Sequence, residues 1–280
     1  MPIAGTHCPR EFGRQTEGDM ARKDLKNKPL TEAIFELKWE IPPQSPQLLQ
    51  GDPNYRILFA RFSEKVQDSY PVYEQLPAAQ VPDGLIAHDA QHRFRATENG
   101  WPLVQIGHGI VTVNDTDSYT WGDFRERARK AVDDLFESHP NKNGFGVKEL
   151  TLRYLDAIEV DLENEDVFTF LQSKLKTRIS LLDSLFLSGD VDSAPNHLVL
   201  ETAFPSSKPS GTIFLKIGTG WRSGKPAVLL DTRVVSNGKN LPKMPTEFLD
   251  WLDSAHDLTD DWFFKLIEGE LEERFSCDPS

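Results

Sequence analysis

Apolar and charged residues alternate strictly near the start of the chain. Phe35, Leu37, Trp39 and Ile41 fall on one side of an extended backbone, with Glu and Lys between them. A period of two is typical of a half-buried strand, so we predict one over residues 35–41. After a Pro/Gln-rich loop, apolar residues recur at helical spacing and predict a helix over about 53–69, with an N-cap and first-turn signal at residues 52–53.

The middle of the chain combines short extended segments with one long amphipathic pattern. Residues 93–97 and 102–113 are predicted to be antiparallel strands, the second interrupted by Gly107 and Gly109 at a bulge or close backbone contact. Thr120, with Asp123 three residues later, resembles a capping box. It opens a predicted helix that ends before Pro140.

The second half of the chain repeats this order of elements. We predict a strand over 150–160 and a helix to residue 175 capped by Asp166. Further strands and helices follow from the same patterns. The predicted strands cover 198–204, 212–217 and 227–235, and the predicted helices cover 246–268 and 270–275.

The repeated order predicts an α+β fold. Ile106-Gly-His-Gly and Ile217-Gly-Thr-Gly occupy corresponding strands of the two halves. We therefore predict a duplicated strand-helix-antiparallel strands-helix unit, with one or two mostly antiparallel sheets and helices packed on one face. The expected organisation is a flexible leader over 1–27, a first half over 28–143 and a second half over 144–280. One continuous domain is the alternative.

Composition and charge restrict the classes of function. The chain has 280 residues, of which 38% are hydrophobic and 27% charged, and no apolar run is long enough for a membrane span. The first 28 residues lack a signal-peptide core, so we expect a cytoplasmic protein. The net charge of −13 argues against nucleic acid as the main partner.

Charged segments are distributed unevenly. Residues 247–280 carry eleven acidic side chains against Lys265 and Arg274, which predicts an acidic C-terminal helix surface able to steer a basic protein. The basic clusters at 125–130 and 174–178 are interpreted as solvated helix faces.

Asp156 is the most unusual residue of the predicted strands, because it shares its face with Leu152, Tyr154 and Ile158. A carboxylate pointing into the core must be hydrogen-bonded, ion-paired or raised in pKa. Perturbed carboxylates occur at functional sites, but they also occur as structural groups that accept hydrogen bonds. Both interpretations remain open, with Asp156 as a candidate catalytic residue.

Histidines supply the other candidates. His256 and Asp260 are spaced i, i+4 on a predicted helix and could share a metal ion, although two ligands do not make a site. The alternative for His256 is a hydrogen-bonded residue at the rim of the core. His108, between two glycines, is a further catalytic candidate or a packed strand histidine, and its pairing with Asp156 is geometrically possible.

Standard catalytic signatures are absent from the sequence. It contains no phosphate loop, dinucleotide-binding glycine triplet, nucleophile elbow or His-Glu-x-x-His motif. Cys8 and Cys277 lie near opposite ends of the chain, which predicts neither a disulfide framework nor a cysteine zinc site. We therefore predict no cofactor and favour a protein that is not an enzyme.

Several segments resemble one known family. They are Asn27-Lys-Pro-Leu-Thr-Glu-Ala-Ile-Phe-Glu-Leu-Lys-Trp39, Leu103-Val-Gln-Ile-Gly107 through Val111-Thr-Val-Asn114, Tyr119-Thr-Trp121, Leu152-Arg-Tyr-Leu-Asp156 and the stretch from His256 to Phe263. Together they resemble the sporadically distributed bacterial family of uncharacterised proteins about this long, over roughly residues 27–275. That family has no assigned activity, so the resemblance assigns no residue roles.

The resemblance has two implications. The family carries Asn where this chain has Asp156, which weakens the case for a catalytic acid there. Sporadic distribution is typical of accessory modules, such as components of mobile defence or toxin-antitoxin systems.

Two classes of function remain open at this stage. The first is a noncatalytic protein-interaction module that binds another protein or itself. The alternative is a small-molecule-binding protein or hydrolase with a pocket between sheet and helices, where Asp156 meets a His. We favour the first, because no convergent polar set with catalytic spacing can be assembled from the sequence.

Overall fold

One nine-stranded antiparallel sheet organises the chain. The computed structural model describes residues 25–41, 51–82, 87–116, 119–141, 145–162 and 164–277. The predicted leader, with Cys8, lies outside these ranges except for positions 25–27. The strands are β1 (Leu30–Trp39), β2 (Val72–Gln75), β3 (His92–Arg95), β4 (Leu103–Gly107), β5 (Ile110–Asp115), β6 (Val147–Glu159), β7 (Val199–Ser207), β8 (Ser210–Arg222) and β9 (Lys225–Asn237). Their order in the sheet is β2-β3-β4-β5-β1-β6-β9-β8-β7.

Within the described ranges five α-helices accompany the sheet, and two of them begin at the caps expected from the sequence. The Thr120 side chain accepts a hydrogen bond from the Asp123 amide, and the Asp166 side chain accepts bonds from Phe168 and Thr169. Both contacts satisfy amide groups that a helix N-terminus otherwise leaves unpaired. The helices are α1 (Tyr55–Val66), α2 (Trp121–Ser138), α3 (Val167–Lys174), α4 (Phe248–Ile267) and α5 (Glu270–Ser276).

The two faces of the sheet differ in polarity. Phe35, Leu152 and Val234 lie side by side on β1, β6 and β9 and are fully buried. The Phe35 ring contacts Phe248 of α4, so this helix packs on the same face. Residues one position along, such as Arg153 and Asp231, point to the opposite face, because side chains alternate along a strand.

The glycine-containing segment over 102–113 differs from its prediction. It forms two strands, β4 and β5, which pair as a hairpin with Gly107 opposite Ile110. The turn lies at His108 and Gly109, and Gly109 has φ +79°, a conformation that favours glycine. A hairpin turn therefore stands where a bulge was one of the two expectations, whereas the alternative, a close backbone contact, is confirmed at Gly107, where an added Cβ would collide with the Asp89 carbonyl group. Strand β2, with only four residues, is an additional element that the sequence pattern did not indicate.

The chain divides into two compact units that are not its two sequence halves. One unit contains 30–159 and 197–260, and therefore the whole sheet. The other contains the residues up to 29, 160–196 and 261–280. Within this second unit, Lys174 contacts Glu165 and Glu270. None of the helices in the described ranges has the length and apolar character needed to cross a bilayer.

Candidate functional site

A chain of hydrogen bonds joins strand β6 to helix α4. The Tyr154 hydroxyl lies 2.9 Å from Nδ1 of His256 and 2.8 Å from the Tyr119 hydroxyl. The buried His256 ring stacks on Trp121, with centroids 3.7 Å apart and planes 14° apart. These four side chains, Tyr119, Trp121, Tyr154 and His256, are called the Tyr-His cluster below.

Local structure explains why these residues meet. Thr120 caps α2, which fixes Tyr119 and Trp121 on either side of the helix start. The Arg125 guanidinium on α2 binds the Asp253 carboxylate on α4 through two contacts of 2.7 and 2.8 Å. This bidentate pair holds the two helices in one geometry and so brings Trp121 against His256. The carboxylate also raises the pKa of Arg125.

Asp156 lies two residues beyond Tyr154 on the same face of β6, as the alternating pattern indicated. Its neighbours on the adjoining strands are Leu30 and Leu230. No described residue forms a hydrogen bond with its carboxyl group. Burial raises its pKa from 3.8 to about 7, and the positive charge of Arg222 acts in the opposite direction. Arg222 itself donates to the Ala157 carbonyl oxygen at 2.8 Å.

Thr232 adds a second buried polar group beside Asp156. It lies directly opposite Tyr154 on β9, two residues along the strand from Leu230, which faces Asp156. Its hydroxyl oxygen is buried and has no hydrogen-bond partner among the described residues. The helix-covered face therefore has a polar region formed by Asp156, Thr232 and the Tyr-His cluster within otherwise apolar strands.

His108 has a different environment from His256. Its Nδ1 accepts a hydrogen bond of 2.9 Å from the Asp52 amide, and its ring lies 4.0 Å from the Tyr55 ring. Because Nδ1 accepts, the proton of the neutral ring is on Nε2. The contact fixes the backbone just before α1, which is a structural role.

The structure does not bring His108 and Asp156 together. Asp156 pairs with Leu30 at the first end of β1, whereas the turn containing His108 bonds to Trp39 at the other end. Nine residues of extended strand separate these positions by about 30 Å. The pairing considered from the sequence is therefore not formed.

The metal-site candidates, His256 and Asp260, lie one turn apart on α4. The described part of the chain contains no group of three or more His, Cys, Asp or Glu side chains placed to hold a metal ion. One ring nitrogen of His256, Nδ1, is already engaged by Tyr154.

The basic segment of α2 is neutralised by local ion pairs. Arg127 contacts Asp123, Arg129 contacts both Glu126 and Asp133, and Lys130 contacts Asp134. With Arg125 bound to Asp253, each cation of the predicted cluster has a carboxylate within 4.0 Å. This arrangement, in which every cation is paired with a neighbouring carboxylate, is that of a solvated helix face.

A run of exposed apolar side chains lies between α3 and β7. We call residues 179–191 the leucine segment. Its only regular structure is a short 3-10 helix over Asp183–Leu185. Five large side chains are between 51% and 81% exposed, namely Leu181, Leu182, Leu185, Leu187 and Val191.

Sequence reasoning missed two of these features. The alternating pattern places Tyr154 on the Asp156 face, but it gives no sign that the hydroxyl contacts a histidine 102 positions away. The leucine segment matches neither a strand nor a long helix pattern, and its one available signal was the density of leucine in a segment with no predicted element. No protein-family model matches the chain, and no curated protein matches its sequence.

Proposed function

We propose that this protein is a noncatalytic protein-interaction module that binds its partner through the leucine segment. The observation that carries the proposal is the exposure of its leucines, with Leu182 at 72% and Leu187 at 81%. Scattered exposed apolar residues are ordinary on protein surfaces, but a contiguous group marks an interaction site.

A complex would gain free energy by burying the exposed leucines of this segment. Burying one leucine side chain is worth about 1.5–3 kcal/mol. Leucines that stay in water within the unit contribute little to its folding, so this gain is available to a complex. A segment with little regular structure must also be ordered on binding, which subtracts from the gain.

Residue spacing suggests how the segment docks. Ile179, Leu182 and Phe186 are spaced i, i+3, i+7, and Leu181 and Leu185 are spaced i, i+4. Both spacings suit an amphipathic helix that lies in an apolar groove. The exposed carboxylates of Asp183, Asp190 and Asp192 favour a groove with a basic rim. The expected partner is therefore a protein with an apolar groove flanked by Lys or Arg.

The test compares complexes recovered from the protein's own host by native mass spectrometry. The wild type is compared with the double variant Leu182→Ser, Leu187→Ser. We expect one protein bound at fixed stoichiometry by the wild type and at least about tenfold weaker binding by the variant, because two anchors are lost. The affinity is then measured with the purified partner.

A matched control is available within the same segment. The double variant Ser184→Ala, Ser188→Ala changes exposed positions between the leucines and should bind like the wild type. A partner bound equally well by the leucine variant would show that another surface is responsible, and the proposal would then be wrong.

A second candidate function rests on the polar region around Asp156. A carboxyl group without a hydrogen-bond partner in the described structure, next to the hydroxyls of Thr232 and Tyr154, is an arrangement that could bind a small molecule or assist hydrolysis. The same spectra test it. A small added mass on the wild type that is absent from Asp156→Asn would favour this function.

We also infer that the two halves of the chain arose by duplication. In support, β1 pairs with β5, the last strand of the antiparallel series that follows it. In the same way, β6 pairs with β9, the last strand of its own series. A helix follows the first strand and the last strand in each half.

A further inference from the structure

Strand β7 forms one of the two edges of the sheet. It has nine residues, whereas β2 at the other edge has four. Its side chains are exposed or half-exposed throughout. A long edge strand presents unpaired amide and carbonyl groups that can pair with another strand.

One hydrogen bond defines which groups face outward. The Thr219 amide donates to the Leu198 carbonyl oxygen at 3.0 Å. The backbone amide and carbonyl groups of Leu198 therefore point toward β8. The amide and carbonyl groups of successive strand residues point to alternate sides, and the register from 199 to 207 is regular. The amide and carbonyl groups of the odd-numbered residues of β7 therefore point away from β8. Pro205, which has no amide hydrogen to donate, occupies one of these outward positions, as expected for a proline in an edge strand.

We propose that β7 pairs with β7 of a second copy of this chain, antiparallel and centred on Thr202. This register places Glu201 opposite Ala203 of the second copy, and each such pair exchanges two hydrogen bonds. Val199 donates a further bond to the carbonyl oxygen of Pro205 of the second copy. The proposal concerns a different surface from the leucine segment and does not rest on it.

Side chains in this register are mutually compatible. On one face, Leu200 lies opposite Phe204 of the second copy, and the symmetry repeats this apolar pair. On the other face, Glu201 lies opposite Ala203, so no like charges are directly opposed. The Glu201 carboxylate is also bound by Arg233 at 2.9 Å, which offsets its negative charge. A register centred on Glu201 would instead place two glutamates opposite each other.

The expected dimer is weak and strengthened by salt. The paired span is seven residues, well below the roughly 20–30 residues per side of a standard interface. Two copies with a net charge of −13 each also repel one another, and salt screens that repulsion. A second copy is therefore expected to bind with a micromolar or higher dissociation constant.

Sedimentation velocity of the full chain, from about 1 μM to about 500 μM, tests the pairing. We expect a monomer at low concentration and a dimer at high concentration. Ala203→Pro removes an outward-pointing amide that donates a hydrogen bond in the dimer and not within the sheet. Each dimer then loses two hydrogen bonds, so the dissociation constant should rise at least about tenfold. Thermal unfolding checks that this variant stays folded.

Two charge variants test the register and do not depend on proline. Ala203 is exposed and would face Glu201 of the second copy, so Ala203→Lys should tighten the dimer and Ala203→Asp should weaken it, each by about twofold to fivefold. The same substitutions at Ser207, beyond the paired span, should have little effect. A wild type that stays monomeric, or equal effects of Lys and Asp at position 203, would overturn the proposal.

The leucine variant separates this inference from the proposed function. Leu182→Ser, Leu187→Ser should dimerise like the wild type in the same experiment. If it does not, the second copy binds through the leucine segment, and the β7 pairing is wrong.

Discussion

Asp52 and Asp156 are two carboxylates with equal burial and opposite surroundings. Asp52 is 5% exposed and Asp156 is 6% exposed. The Asp52 carboxylate accepts hydrogen bonds from Trp39 Nε1 at 2.9 Å and from the Asn54 amide at 2.8 Å. No described residue donates to Asp156, and burial raises its pKa to about 7. Burial alone therefore does not reveal the role of a carboxylate, whereas its donors do.

The comparison predicts that removing Asp52 is the most damaging of the changes considered. Asp52→Ala leaves the buried Trp39 indole and the Asn54 amide without their acceptor. Each unsatisfied buried donor costs about 1–3 kcal/mol, so we expect the free energy of unfolding to fall by about 4 kcal/mol. Urea unfolding at neutral pH measures the difference.

Two further variants show whether the hydrogen bonds cause this loss. Asp68→Ala removes an exposed carboxylate just after α1 and should change stability by no more than about 0.5 kcal/mol. Asp52→Asn keeps one acceptor oxygen and should fall between the two alanine variants. If Asp52→Ala is as stable as the wild type, the hydrogen bonds to Asp52 do not stabilise the fold, and the proposed difference between the two carboxylates is wrong.

Asp156→Asn should have the opposite effect at alkaline pH. The folded protein keeps the proton of Asp156 up to about pH 7, while the unfolded chain releases it near its ordinary pKa of 3.8. Wild-type stability attributable to this group therefore falls as pH rises from about 4 to 7 and is constant above. The asparagine does not titrate, so its stability relative to the wild type should increase over that window.

The size of this effect follows from the pKa. Each pKa unit corresponds to about 1.4 kcal/mol, so the buried carboxylate costs about 4 kcal/mol above pH 7. The asparagine amide and the protonated carboxyl are both neutral polar groups with similar burial costs, so the variant should be about as stable as the wild type at pH 4 and about 4 kcal/mol more stable at pH 8. Urea unfolding of both proteins at pH 4 and pH 8 measures it. An unchanged difference between them at the two pH values would mean that Asp156 is not the titrating group.

Local patterns were sufficient for most of the elements. The alternation from Phe35 and the caps at Thr120 and Asp166 identified a strand and two helix starts, because these signals depend on neighbouring residues. Strand β2 was missed since four residues with apolar Val72 and Tyr73 adjacent carry no clear period. Its place is determined by pairing with β3, which is a tertiary contact.

The site was less predictable because its contacts are distant in sequence. Strand alternation correctly placed Asp156 inward, but its lack of donors depends on Leu30 and Leu230 from two other strands. The partner of His256 is Tyr154, 102 positions away. No spacing rule within one helix could supply that residue, and the i, i+4 relation to Asp260 drew attention to a metal site instead.

Removing the Tyr154 hydroxyl, two residues from Asp156, should change stability least of the three substitutions. It contacts His256 and Tyr119, so it resembles Asp52 in being hydrogen-bonded and differs from its neighbour on the strand. Tyr154→Phe removes both contacts and should lower the free energy of unfolding by about 1 kcal/mol. It should also shift the nitrogen NMR signal of His256 Nδ1.

Tyr119→Phe is the matched control for this last change. It removes the hydrogen bond between the two tyrosines and leaves the contact of Tyr154 with His256 in place. We therefore expect a smaller loss of stability and an unshifted Nδ1 signal. If both variants shift the signal equally, the three side chains act as one coupled unit, because hydrogen bonds in a chain polarise one another. If neither shifts it, Tyr154 does not hold His256, and the structural interpretation of the Tyr-His cluster fails.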